Sequence, residues 1–240
     1  MTRWTVVAIV SMVAVAAAVV LLANRGPDGS QQPRSPRAPA PVPPGPHGAR
    51  LLRPVLLRER PGGRGVRMLG TRTGYGSPRV LAVVTRRGKW LGVLSQYRPN
   101  SRVGWIPASE VLLLHRPYSL DVDLSSRVLV VRRDGRFRRR IVVAVGRPGS
   151  VTPTGRFAVT DLLKIGRRGG PYGCCALALT GRQPNVPQGW SGGDRLAIHG
   201  TSNNGSVGSA ASGGCLRASD RDMRWLLARV QLGAVVRVRA

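Results

Sequence analysis

The sequence predicts a mainly β protein: an N-terminal membrane-spanning helix, a small β barrel, then a larger β-rich domain with one late helix. Three observations carry this. Residues 4–23 are apolar apart from Thr5 and Ser11. Short apolar runs separated by Gly, Pro, Asn and Ser fill 51–116 and continue beyond it, the pattern of strands and turns. One stretch, after Ser219, has the 3.6-residue apolar period of an amphipathic helix.

Segment 1–24 reads as a transmembrane signal anchor. Its apolar run of about 20 residues matches the thickness of a bilayer core, and no A-x-A cleavage site precedes Asn24. Arg3 argues for a cytoplasmic N-terminus, whereas Arg25, Arg34 and Arg37 pull the other way. The character of the later domains places the bulk of the chain outside the membrane, or secreted if the segment is cleaved. Segment 25–50 is a linker with eight prolines. It favours polyproline II at ~3.1 Å per residue, a semi-rigid spacer reaching roughly 80 Å. His47 falls in this linker, where it is expected to be solvated.

Segment 51–116 reads as a small β module with five strands, at 54–58, 65–69, 79–84, 89–94 and 103–107. Lys89-Trp90-Leu91-Gly92-Val93 and Gly104-Trp105-Ile106-Pro107 resemble the final strands of bacterial SH3-like domains. That resemblance implies a binding or spacing module with no chemistry of its own. Trp90 and Trp105 fit packing roles.

Segment 118–240 opens with strands at 118–124 and 127–131. Asp134-Gly135 signals a hairpin that pairs 141–146 with 127–132. A turn at 152–156 leads into a strand at 157–160. The Gly- and Pro-rich stretch 161–190 is expected to form a long loop or lid, although Cys174-Cys175-Ala176-Leu177 within it looks like a strand entering the core. Ser219 N-caps the helix, with Asp222 at its third position. Met223, Leu226, Leu227 and Val230 form the apolar face, and 235–238 is a closing strand.

Composition narrows the chemistry. The net charge is +28, with 18 basic and 3 acidic residues in 1–117 and 20 and 7 in 118–240. Charge spread this evenly suits membrane surfaces or anionic wall polymers better than a nucleic-acid stripe. Seven scattered carboxylates give no glycosidase pair. No P-loop or dinucleotide fingerprint occurs, so no cofactor is implied. Cys174, Cys175, His199 and Cys215 lack zinc-site spacing, so no metal is implied. Three cysteines leave at least one thiol free, and Cys174 and Cys175 are expected as two separate thiols. His199 is the single histidine of this segment. A Cys–His acyl-transfer dyad must therefore pair it with a cysteine, and Cys215 has a Gly-Gly approach that lets backbone amides near a substrate oxygen.

Ile198-His199-Gly200-Thr201, followed by Ser212, Gly214, Cys215, Leu216 and Arg217, resembles the YkuD-type L,D-transpeptidase catalytic domain. Gly146-x-Pro148 and Thr152-Pro153-Thr154-Gly155-x-Phe157 match the family's upstream motif. The resemblance covers 118–240. It implies a peptidoglycan cross-linker that joins stem peptides 3→3, with Cys215 as nucleophile and His199 as base or imidazolium partner. Gly200 would orient the imidazole, and Gly213, Gly214 and Cys215 would supply oxyanion amides. Arg217 would bind a substrate carboxylate or form a structural ion pair. Ser212, Thr201 and Tyr172 would contact substrate, Tyr172 from a lid. The family often has histidine where this chain has Gly213. An alternative reading is therefore a catalytically inactive wall-binding protein on the same fold.

Overall fold

The computed structural model describes residues 46–165, 170–186 and 193–240. The expected anchor and nearly all of the linker lie outside the described residues. Among the described residues no helix is long and apolar enough to cross a membrane.

The N-terminal module has seven strands rather than five: β1 (His47–Leu51), β2 (Val55–Arg58), β3 (Gly65–Leu69), β4 (Val80–Arg87), β5 (Trp90–Leu94), β6 (Val103–Pro107) and β7 (Val111–His115). Their order in the sheet is β3-β2-β6-β5-β4-β1-β7. Of the two additional strands, β1 begins at His47, inside the expected linker, and β7 lies within the expected module. His47 is buried in β1 rather than solvated, because β1 pairs with both β4 and β7. Prolines at 41, 43, 44 and 46 mask this strand in the sequence. Leu57, Leu91, Val93 and Ile106 fill the module's core.

The second domain is built on an eight-stranded sheet. Its strands are β8 (Tyr118–Asp123), β9 (Val128–Arg133), β10 (Arg136–Val142), β11 (Val145–Gly146), β12 (Gly155–Lys164), β13 (Cys175–Arg182), β14 (Arg195–His199), β15 (Ala210–Ser212), β16 (Leu216–Arg217) and β17 (Val235–Arg239). Helix α1 spans Asp220–Leu227. The sheet order is β10-β9-β8-β17-β12-β13-β14-β16, while β11 and β15 form a separate parallel pair. Asp134 and Gly135 both take positive φ, as a two-residue hairpin turn requires. The hairpin is shorter than expected. β10 leaves β9 after Val142, and Val145–Gly146 turns to β15.

The stretch 161–190 is the largest fold-level correction. β12 runs on to Lys164 and pairs antiparallel with β13, so among the described residues two strands enter where the sequence suggests a loop, the second taking in the strand expected at 174–177. β13 and the middle of β12, 157–161, are buried on both faces, which removes the alternation that marks a half-exposed strand. One face of β13 meets α1, whose buried Met223 and Leu226 belong to the same core. On the module side, Ala158 packs with Ala82 and Leu94. Polar clasps reinforce that docking. Asn100 exchanges two hydrogen bonds with the Arg182 backbone, at 2.7 and 2.9 Å. The Arg116 guanidinium donates to the Leu232 carbonyl at 2.7 Å.

Ser219 caps α1 as its position predicts: its Oγ accepts the Asp222 N–H at 3.1 Å and donates back to the Asp222 carboxylate at 2.8 Å. Cys174 and Cys175 form a vicinal disulfide rather than two separate thiols, and Cys215 is the free cysteine.

Candidate active site

β14 and β16 run parallel, with Ile198 opposite Leu216 and His199 opposite Arg217. Side chains alternate along a strand. Ile198 and Leu216 therefore point into the core, where both are buried, and His199 and Arg217 share the other face. One position earlier, Cys215 lies opposite Ala197 on that same face. His199, Cys215 and Arg217 line one cavity of about 510 Å³.

The imidazole is held firmly. His199 is 3% exposed. Its Nδ1 lies 2.6 Å from the Gly200 carbonyl, which can only accept, so the proton sits on Nδ1 and Nε2 keeps its lone pair. Tyr172 packs edge-to-face with the ring at a centroid distance of 5.0 Å. Gly200 permits this placement. A Cβ there would fall 2.2 Å from Asp220 Oδ1, the oxygen that accepts the Cys174 N–H at 3.0 Å. The first residue of α1 thereby ties the helix to the approach to β13, with its carboxylate close against Gly200.

The thiol is half-buried. Sγ lies 3.8 Å from the Arg195 carbonyl, and the Ala197 N–H is directed at the sulfur. Burial pushes the Cys215 thiol up, and that N–H and the Arg217 charge oppose the rise. Burial also lowers the His199 imidazole to about 4; the Gly200 hydrogen bond opposes this and the Arg217 charge adds to it. At neutral pH the resting pair is thus thiol and neutral imidazole. A neutral imidazole protonated on Nδ1 can accept a proton on Nε2.

The loop 212–215 shapes the approach to sulfur. Ser212 Oγ donates to the Cys215 carbonyl at 2.5 Å and accepts the Gly214 N–H at 3.0 Å. Ser212 therefore braces the loop with its hydroxyl while also lining the cavity, and the Gly214 amide is engaged by that hydroxyl. Thr201 is also redirected: its hydroxyl closes a turn on Asn203, and it does not line the cavity. Ser212, Gly213 and Tyr172 do line it.

Two further residues of this region escape sequence reasoning. Gln183, 5% exposed, donates from Nε2 to the carbonyls of Ser150, Val151 and Gly213. It joins the upstream Gly146–Thr152 loop to the nucleophile loop, yet nothing in Gly-Arg-Gln-Pro marks it. Asp220 reads in the sequence as an ordinary first-turn acid.

Gly214 has φ +120°, and a Cβ there would lie 2.1 Å from Gln183 Nε2. Gly214→Ala must displace the loop or the anchored Gln183. Its acylation rate is expected to fall about 100-fold, measured by stopped-flow acylation with a carbapenem. A rate within about threefold of wild type would show that the loop has room.

Arg217 Nε is buried without a hydrogen-bond partner, and no carboxylate pairs with Arg217 among the described residues. A structural ion pair is therefore not its role among the described residues. Its charge faces both the thiol and the imidazole. Arg217→Gln is expected to lower kcat/KM on a stem peptide by about tenfold or more. It should also raise the imidazole pKa, shifting the acid limb of the rate profile upward. Unchanged kinetics and an unmoved acid limb would remove Arg217 from the site.

A model of the L,D-transpeptidase catalytic domain, YkuD, matches residues 117–238, half of the chain. The chain belongs to the YkuD L,D-transpeptidase family. The YkuD protein of Bacillus subtilis (strain 168) is 30% identical over 122 residues, covering 51% of this chain and 66% of that protein, just under two thirds of its length. The YkuD protein of Bacillus licheniformis is 28% identical over 152 residues, covering 60% of this chain and 84% of that protein. A solved L,D-transpeptidase from Mycobacterium smegmatis matches at 19% identity and TM-score 0.42, over 60% of this chain and 76% of that one. The YkuD-family match coincides with the second domain and takes in every residue of the dyad face.

Proposed function

We propose that this YkuD-family chain is a peptidoglycan L,D-transpeptidase that forms 3→3 cross-links through a thioester on Cys215. The observation that carries this is the shared face of β14 and β16: a thiol, a buried imidazole protonated on Nδ1, and an arginine with no carboxylate partner among the described residues, all on one cavity wall.

His199 Nε2 takes the thiol proton as Sγ attacks the carbonyl of the third stem residue. The C–S bond forms, and charge develops on the carbonyl oxygen, toward which the Gly213 and Cys215 amides are the remaining donors of the loop. The imidazolium then protonates the departing amine, the C–N bond breaks and D-alanine leaves. An amine of a second stem attacks the thioester, giving its proton to His199, and the thiol is restored. A neutral resting pair suits this cycle, because each half-reaction begins with imidazole ready to accept a proton. Arg217, facing both groups, offers a fork for a stem carboxylate.

The first 24 residues would anchor the chain in the cytoplasmic membrane, and the proline-rich stretch would carry the domains out toward the wall. The N-terminal module is read as an SH3-like spacing or wall-binding unit, and the basic surface as attracting anionic wall polymers. The test is incubation with disaccharide-tetrapeptide muropeptides. The reading expects D-alanine release together with a 3→3 dimer. Release without dimer would reassign the chain to carboxypeptidase or exchange activity, and neither product would overturn the reading.

A further inference from the structure

The cavity is not built by the YkuD domain alone. Tyr75, from the N-terminal module, lines it together with His199, Cys215 and Arg195. It stands in the β3–β4 connection, which is a braced hairpin. Thr73 and Ser77 pair through the Thr73 N–H at 2.9 Å, and the Ser77 N–H returns to Thr73 Oγ1 at 3.2 Å. The buried Arg79 guanidinium holds the Gly70 and Arg72 carbonyls at 2.7 and 2.6 Å from beneath.

The hairpin is also fastened to the YkuD domain. Thr73 Oγ1 hydrogen-bonds Asp161 Oδ1, and Asp161 is 0% exposed on β12. The other Asp161 oxygen faces Arg195 at 4.0 Å, and the Arg195 carbonyl lies beside the Cys215 sulfur. The hairpin is thus fastened to the strand residue that faces Arg195, the neighbour of Cys215. Two residues beyond Thr73, the Tyr75 side chain is 61% exposed and belongs to neither hydrophobic core. It lies within electrostatic reach of Tyr172, whose ring packs against His199, and of Arg195. An exposed aromatic on so constrained a hairpin costs little entropy when it meets a ligand.

We infer that the N-terminal module completes the substrate site, with Tyr75 packing on the acyl-donor stem peptide where it enters between Tyr75 and Tyr172. The ring would cover the apolar parts of an extended peptide, and its hydroxyl would reach a peptide carbonyl or carboxylate. The inference rests on the transpeptidase reading, and it gives the module a part in substrate selection beyond spacing.

The test measures binding of a synthetic tetrapeptide stem ending in diaminopimelate-D-alanine to the full chain carrying Cys215→Ala, which removes turnover. Calorimetry on this background is compared with the same chain bearing Tyr75→Ala or Tyr75→Phe. Tyr75→Ala is expected to weaken binding about tenfold with an unchanged melting temperature, and Tyr75→Phe to retain most of the affinity. In the chain with its thiol, Tyr75→Ala should raise KM about tenfold while kcat moves less than about threefold. Affinity within about twofold for Tyr75→Ala would overturn the inference. Tyr75-dependent binding by a chain that never releases D-alanine would uphold it while sinking the proposed activity. Absence of binding on every background would overturn both.

Discussion

Cys215→Ala is expected to abolish covalent acylation and to lower D-alanine release by about 10⁴-fold or more. The loss is chemical, not structural. The bonds that shape the nucleophile loop come from Ser212 Oγ, the Cys215 carbonyl and Gln183 Nε2, and alanine keeps all of them. The folded state is expected to change by less than about 1 kcal/mol, since one half-buried sulfur is removed from a cavity wall. The check is paired: D-alanine release for activity and thermal unfolding for stability. A variant that melts like wild type and still turns over would remove Cys215 from the mechanism.

His199→Gln should lower acylation by about 10²- to 10⁴-fold, the range of a lost general base. It also carries a pH signature. The folded imidazole titrates near 4 because burial disfavours its charge, whereas the unfolded chain takes that proton near 6.5. Between these values the unfolded state binds more protons than the folded one. The contribution of His199 to stability is therefore complete above about pH 6.5 and is lost as pH falls through about 4. The difference amounts to about 3 kcal/mol across the window. Denaturant midpoints at pH 7.5 and 4.5 should fall further in wild type than in His199→Gln. The acid limb of the acylation profile should lie well below the range of an ordinary imidazole. An acid limb between pH 6 and 7, with equal midpoint shifts in both chains, would mean that the imidazole is solvated or ion-paired.

Much of the fold was legible because the strands announce themselves locally. The runs around Leu56, Met68, Val93 and Ile106 sit between turn residues, and α1 has both a cap and an apolar face. What escaped did so for physical reasons. β1 lies behind prolines, and its pairing with β4 and β7 is a long-range fact that no local pattern contains. The starts of β12 and β13 were readable as strands at 157–160 and 174–177, but their full extents were not: β13 is buried at every position but its last, so the period-two signal that would mark its length is erased. At the site, the motifs around His199 and Cys215 pointed to a nucleophile and base on neighbouring segments. They could not assign the supporting groups. Ser212 and Thr201 belong to the motifs yet spend their hydroxyls on their own loops. Gln183, Asp220 and Tyr75 come from unremarkable sequence and are brought in by the fold. The Gly213 departure is accommodated as well: its carbonyl is held by Gln183 at 3.2 Å, and the imidazole on β14 is positioned without any second histidine.

The central claim is that Cys215 is a nucleophile served by His199. Intact-protein mass spectrometry after incubation with a carbapenem tests it most directly, with peptide mapping of the adduct. The account predicts a single adduct on the peptide bearing Cys215, slow formation in His199→Gln and none in Cys215→Ala. A folded wild-type chain that stays unlabelled, or one labelled at Cys174 or Cys175, would contradict it, and the unlabelled case would leave a wall-binding protein on a transpeptidase fold.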